Sequence, residues 1–194
     1  MTDAAHGDEI TAYCDGGSRG NPGPAGFGVF IQGSRGEVVG ELSEYLGKHT
    51  NNYAEYSGLL AALDFAVTQG HRRLKVVSDS ELMVKQIKGQ YRVNSPELRP
   101  LYDEAKRRIA RLESFQIQHV LREKNQRADR LANLAMDRGM GKTGTENGRA
   151  AAPSPDKAQE KPQTIRGFVK GGVVHLVEGE LPDGVFVRIT PERR

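Results

Sequence analysis

A single cysteine, Cys14, stands in the 194 residues, so no intramolecular disulfide framework is available and a reducing compartment is expected. No apolar run is long enough to span a bilayer. The leading residues, MTDAAHGDE, are acidic and lack the apolar stretch of a secretory signal, so 1–9 read as a loose leader. These absences predict a soluble, cytoplasmic protein with no membrane partner. Charge of one sign is also scarce. Twenty-eight Lys and Arg against 25 Asp and Glu leave a net charge of +3, too small by itself to imply nucleic-acid binding.

The distribution of the cations says more than their sum. They gather at Arg72, Arg73 and Lys75, at Lys85 and Lys88, at Lys106, Arg107, Arg108 and Arg111, and at Arg122, Lys124, Arg127 and Arg130. Separate clusters of this kind bind phosphate backbones when a fold brings them to one face. The cluster from Lys106 to Arg111 reads instead as an exposed helix face.

What the chain does have is organised around TAYCDGGSRGNPGPAGFG, from Thr11 to Gly28. Ile10, Ala12 and Cys14 alternate as in a half-buried strand, which ends on Asp15 before a run of Gly, Ser, Asn and Pro. A carboxylate at the exit of a core strand, beside a loop with little side chain, suits a metal ion. Asp before Gly is also ordinary turn chemistry.

Taken in order, strands are predicted at Ile10–Asp15, Gly26–Ile31 and Val38–Tyr45, with Gly33-Ser34-Arg35-Gly36 turning the second pair into a hairpin. Thr50-Asn51-Asn52 starts a helix with Glu55 in its first turn. Tyr56, Leu59, Leu60, Leu63 and Val67 form its apolar face, and Gly70 ends it. Leu74–Asp79 is a fourth strand, and Ser80 caps a short helix carrying Gln86, which faces either the groove or solvent. Pro96 opens a longer helix through Leu112. Phe115–Leu121 is a fifth strand, and a short polar connection leads to a helix carrying Ala128, Leu131, Ala132 and Ala135.

Three strands, helix, strand, helices, strand, helix describe an α/β fold: a mixed five-stranded sheet with helices packed on it. The first and fourth strands should be parallel neighbours. Asp15 and Asp79 then share the carboxyl edge of the sheet, where α/β folds place ligands. Glu55 and Asp129 reach the same edge from the first turns of their helices, Asp129 just after Asn125, a cap residue. Each has a plain reason to be there, since a helix N-terminus favours negative charge. Four carboxylates converging on one edge repel, and must raise a pKa or bind a cation. Oxygen ligands without His or Cys select a hard ion such as Mg2+ or Mn2+.

The segments YCDGGSRGNPGPAGFGV, TNNYAEY, VVSDS and NQRADRLAN resemble, in order and spacing, the four signature blocks of type 1 ribonuclease H over about 9–138. The resemblance implies a ribonuclease H-like sheet and endonucleolytic hydrolysis of the RNA strand of RNA/DNA hybrids, leaving 5′-phosphate and 3′-hydroxyl ends. It also implies that Asp15, Glu55, Asp79 and Asp129 are the catalytic acids of a two-metal site. Two Mg2+ ions, or Mn2+ in their place, about 3.5–4 Å apart would hold the scissile phosphate. Asp15 would bridge both ions, with Asp79 and Glu55 on one and Asp129 on the other.

Substrate contacts follow from the same resemblance. Gly16, Gly17 and Ser18 offer backbone groups, Asn21 a side-chain amide, Thr50 a phosphate contact on the DNA strand, and Asn51 and Asn52 contacts to 2′-hydroxyls. Capping remains the alternative for Asn51 and Asn52. Alternatives to a hybrid-specific enzyme are an inactive nucleic-acid-binding module of the same fold and a related metal nuclease that also cuts double-stranded RNA. The chain departs from many relatives in lacking a glycine-rich loop with a His before the last helix. Arg122 is the candidate cation in its place, unable to shuttle protons at neutral pH, while His119 reads as packing. At Gly89–Pro96 the connection is short, without an inserted basic helix, as in archaeal-like and plant-like forms.

Beyond this domain (10–138), 139–164 read as a flexible linker with almost no large apolar residues. Residues 165–194 hold two or three strands around Gly171-Gly172 and a Gly-Glu-Leu-Pro-Asp-Gly turn. They weakly resemble the small β modules of antitoxin-like proteins, with dimerisation, protein binding or a decorative tail as the readings.

Overall fold

The computed structural model describes residues 9–141, 167–170 and 173–176. The chain divides into two compact units, Met1–Glu146 and Asn147–Arg194.

In the first unit, β1 (Glu9–Ser18), β2 (Gly23–Gly33), β3 (Val38–His49), β4 (Arg73–Ser78) and β5 (Ser114–His119) form one sheet in the order β3-β2-β1-β4-β5. β1 pairs antiparallel with β2 and parallel with β4, as expected, and β4 pairs parallel with β5. The helices are α1 (Asn51–Thr68), α2 (Glu81–Ile87), α3 (Arg99–Ile109) and α4 (Gln126–Gly139). None among the described residues is long and apolar enough to cross a membrane.

Side chains alternate between the two faces of a strand, and β2 uses both faces differently. Phe27, Val29 and Ile31 join Ile10, Ala12 and Cys14 of β1 under α1, in a core that contains Leu59 and Leu63, neither of them exposed. Burying each such Leu stabilises the fold by about 1.5–3 kcal/mol. Gly26 and Gly28 face α4. A Cβ on Gly28 would lie 2.4 Å from the Ala128 carbonyl oxygen and 2.5 Å from the Ala132 nitrogen, so only glycine lets the helix backbone sit directly on the strand.

Several expectations need correction. The strands are longer: β1 runs through Gly16, Gly17 and Ser18, and only Arg19–Pro22 separate it from β2. Gly16 pairs with Phe27, and its missing Cβ leaves room for the start of α1, since that atom would meet Ala54 and Glu55 backbone at 2.2 Å. Glu55 lies beyond the first turn of α1, which contains no acid. The long helix opens at Arg99 with Pro100 near its N-terminus and stops at Ile109, because Pro96 belongs to a turn in which Leu98 donates to Ser95 Oγ. The Arg122–Gln126 connection contains a 3-10 turn, Arg122–Lys124. His119 is exposed at the end of the edge strand rather than packed. Gln86 is buried, accepting from the Tyr56 hydroxyl and donating to the Arg92 carbonyl, so it faces neither groove nor solvent.

In the second unit, β6 (Gly167–Lys170) and β7 (Val173–Leu176) pair antiparallel, with Phe168 opposite His175. The expected strand at Val185–Ile189 lies outside the described residues, as does the expected linker from 142 onward. Gly139, the first residue assigned to that linker, is the last of α4.

Candidate active site

The parallel register of β1 and β4 sets the geometry. Cys14 pairs with Ser78, so Asp15 and Asp79 follow one residue later on neighbouring strands. Asp15 is 8% exposed, and its carboxylate accepts from the Gly16 N–H at 2.9 Å. Burial pushes its pKa up to about 8, helped by the charges of Asp79 and Asp129 and opposed by Arg122.

Glu55 is delivered by α1. Thr50 caps that helix, its side chain accepting from the Tyr53 N–H at 3.3 Å. The Asn51 amide is therefore free to donate to Glu55 Oε1 at 2.9 Å, while its backbone N–H donates to Asn21 Oδ1 at 3.2 Å. Ser80, the cap of α2, donates its hydroxyl to the other Glu55 oxygen. Burial still pushes the Glu55 carboxyl up to about 7, with Asp79 adding to the rise and the Ser80 and Asn51 hydrogen bonds opposing it.

Asp129 lies in the first turn of α4. The Arg122 guanidinium pairs with it from the preceding turn, and Asn133 donates to it at 3.3 Å. That pairing holds the guanidinium pKa above its ordinary value. Asn125 holds the N-cap position of α4 as the sequence predicts, but its side chain does not cap the helix: its amide donates to the Cys14 carbonyl at 2.9 Å and to Asp79 Oδ1 at 3.0 Å.

The four acids therefore come to one edge of the sheet and act on one another electrostatically. They do not close into a ready chelate. Among the described residues, no three His, Cys, Asp or Glu groups are gathered tightly enough to hold an ion. Each carboxylate is instead occupied by its own hydrogen-bond donor. The chemistry of the set still fits a hard divalent cation: all donors are oxygen, and the raised Asp15 and Glu55 carboxyls mark negative charge that the protein leaves uncompensated.

The remaining candidates surround this edge. Gly17 packs against Met136. The Ser18 hydroxyl donates to the Gly20 carbonyl, and Asn21 precedes a cis peptide bond to Pro22. Arg19 anchors this turn to the end of α4 through Asp137 at 2.6 Å. Asn52 is half-buried in the first turn of α1. Ser80 reads from the sequence only as a cap. Its place directly after Asp79, the acid that follows β4, is the signal that could have brought it to the site.

Comparisons with known proteins cover the same region. A family model described as reverse transcriptase-like matches residues 13–135. The bifunctional protein Rv2228c of Mycobacterium tuberculosis is 42% identical over 130 residues, 66% of this chain and 36% of that protein. The chain thus spans about a third of the length of that relative. Ribonuclease HI of Halobacterium salinarum is 41% identical over 131 residues, 68% of this chain and 66% of that protein. Among solved structures, LC11-RNase H1 in complex with an RNA/DNA hybrid superposes with a TM-score of 0.64 at 40% identity, covering 68% of this chain and 99% of the other.

Proposed function

The chain belongs to the type 1 ribonuclease H family, and from that premise we propose that it hydrolyses the RNA strand of RNA/DNA hybrids in a divalent-metal-dependent endonucleolytic reaction. The observation that carries this reading is Asp15, buried at the edge of the sheet with Asp79 and Asp129 raising its carboxyl pKa. A protein has little reason to keep such a group unless a cation offsets it.

In this reading Asp15, Glu55, Asp79 and Asp129 hold the metal ions. Bound there, divalent cations would polarise the scissile phosphate and lower the pKa of the attacking water. The chain's own residues do the rest. Asn51 joins the Asn21 turn to Glu55, so a 2′-hydroxyl at this point would be sensed beside a metal ligand. Arg122, largely exposed and hydrogen-bonded to Asp129, is the cation available to the phosphate or the leaving 3′ oxygen. Products carry 5′-phosphate and 3′-hydroxyl ends.

The test is cleavage of a labelled RNA/DNA hybrid with Mg2+ or Mn2+, beside single-stranded RNA, double-stranded RNA and duplex DNA, with Asp79→Asn in parallel. Hybrid-selective cutting, lost in the variant and in chelator, is the expected result. Equal cutting of double-stranded RNA would make the protein a broader metal nuclease. Binding without cutting in either metal would overturn the catalytic reading.

A further inference from the structure

Asn125 makes an unusual set of choices for a buried residue. It is 1% exposed and stands where α4 begins, yet its side chain does not cap the helix. Its amide nitrogen goes instead to two acceptors remote in sequence, the Cys14 carbonyl at 2.9 Å and Asp79 Oδ1 at 3.0 Å. Both partners are oxygens, so the orientation of the amide is fixed: turning it over would set oxygen against oxygen twice. The cost falls on its own Oδ1. Among the described residues this is the buried side-chain oxygen or nitrogen that lacks a partner. Leaving such an atom unpaired and forgoing a cap both cost stability. A residue kept for packing or helix capping would do neither.

What the arrangement secures is geometry. One side chain grips the β1 carbonyl directly before Asp15 and one oxygen of Asp79. Its backbone carbonyl accepts from the Asp129 N–H at 3.1 Å, and its own N–H donates to the Arg122 carbonyl at 2.9 Å. Two of the four acids, the residue before a third, and Arg122 are tied to one residue.

We infer that Asn125 is a positioning residue of the metal site. It holds Asp79 by Oδ1, which would leave Oδ2 for a bound ion, and it sets the distance of α4, with Asp129, from the strand that carries Asp15. This rests on the metal-dependent reading above.

The experiment uses the full chain with Asn125→Ala and Asn125→Ser. The melting temperature is recorded without metal and along a Mn2+ titration, and kcat and KM are measured on the hybrid at saturating metal. Serine can cap α4 but gives up both amide hydrogen bonds, so Asn125→Ser is expected to melt below the wild-type temperature, though less far below than Asn125→Ala. The metal concentration giving half the maximal shift should rise roughly ten-fold, and kcat should fall at least as much, with KM within about two-fold. Asn125→Ala should show the same functional losses together with a still lower melting temperature. If the alanine variant does not fold, the serine variant alone decides. A metal midpoint and kcat within about two-fold of wild type in Asn125→Ser, or losses that follow the melting temperature, would overturn the inference. So would a wild type whose melting temperature does not respond to Mn2+. A wild type that binds metal but leaves hybrids intact fails the proposed function alone, since the metal midpoint still reads the role of Asn125.

Discussion

Helices α1 and α4 lie on opposite faces of one sheet, and each brings one carboxylate to its edge, but different physics holds them. α1 is buried on more than one side by Tyr56, Leu59, Leu63 and Phe65, and Arg108 of α3 fastens it through the Leu60 carbonyl at 3.0 Å and Asp64 at 3.1 Å. α4 buries Ala128, Ala132, Ala135 and Met136, rests its backbone on Gly28, and sets the Ala135 and Met136 side chains against Gly26. The first contact is worth much apolar area. The second is worth little area and depends on close approach. Glu55 is therefore placed by the same side chains that hold the fold together, whereas Asp129 is placed by the absence of side chains and by Asn125.

The comparison can be broken most forcefully at α1. Leu63→Ala should cost about 2–5 kcal/mol in urea or thermal unfolding. Activity per folded molecule should survive at low temperature, because the start of the helix is fixed separately at Gly16 and Thr50. Gly28→Ala is the counterpart on α4. Its Cβ would meet Ala128, Leu131 and Ala132 at 2.4–2.5 Å, so the helix must lift, at about 1–3 kcal/mol. Here hybrid cleavage should fall much further than the melting temperature. Retained cleavage would show that Asp129 does not need the close seat.

The two helices also differ in the charge they bring to Asp15, and pH reads this. Asp15 ionises near pH ~4 in the unfolded chain and near 8 in the folded one. Between those values the folded state keeps a proton that the unfolded state has released. Raising the pH through this window therefore costs stability. Glu55 adds to the loss up to about 7. Metal-free protein should melt progressively lower from about pH 5 to about pH 8. Asp15→Asn should flatten that slope, raise the metal-free melting temperature at the alkaline end and reduce the shift produced by Mg2+. The smallest effect is expected at the far end of α4. Asp137→Asn weakens the pair with Arg19, both about a third exposed, and should cost under about 1 kcal/mol while loosening the Asn21 turn and raising KM for the hybrid.

Much of this was legible in the chain itself. Alternating apolar residues before Asp15 mark β1, the LKVVSD run closing on Asp79 marks β4, and parallel pairing puts the two acids at one edge. Element ends were less visible. Gly16 and Gly17 read as loop because glycine signals turns, yet here they continue a strand whose Cβ positions are taken by α1 and α4. Pro96 and Pro100 offer the same helix-start signal, and only the Ser95–Leu98 turn chooses between them. Asn125 looked like a cap because a cap needs only local sequence, whereas its partners Cys14 and Asp79 are remote. Gln86 and His119 went astray for the same reason: their burial is decided by elements that meet them only in the folded chain.

The parallel pairing of β1 with β4 has a consequence for how the protein is made. The antiparallel ladder of β3, β2 and β1 is local in sequence and can assemble as soon as those strands leave the ribosome, with α1 following. Asp15 and Glu55 belong to these early elements. Asp79 waits for β4 to dock beside a strand made much earlier, and Asp129 waits for the last helix of the domain. The carboxylates thus leave the ribosome in the order Asp15, Glu55, Asp79, Asp129, and a nascent chain can gain the complete set only when α4 has emerged.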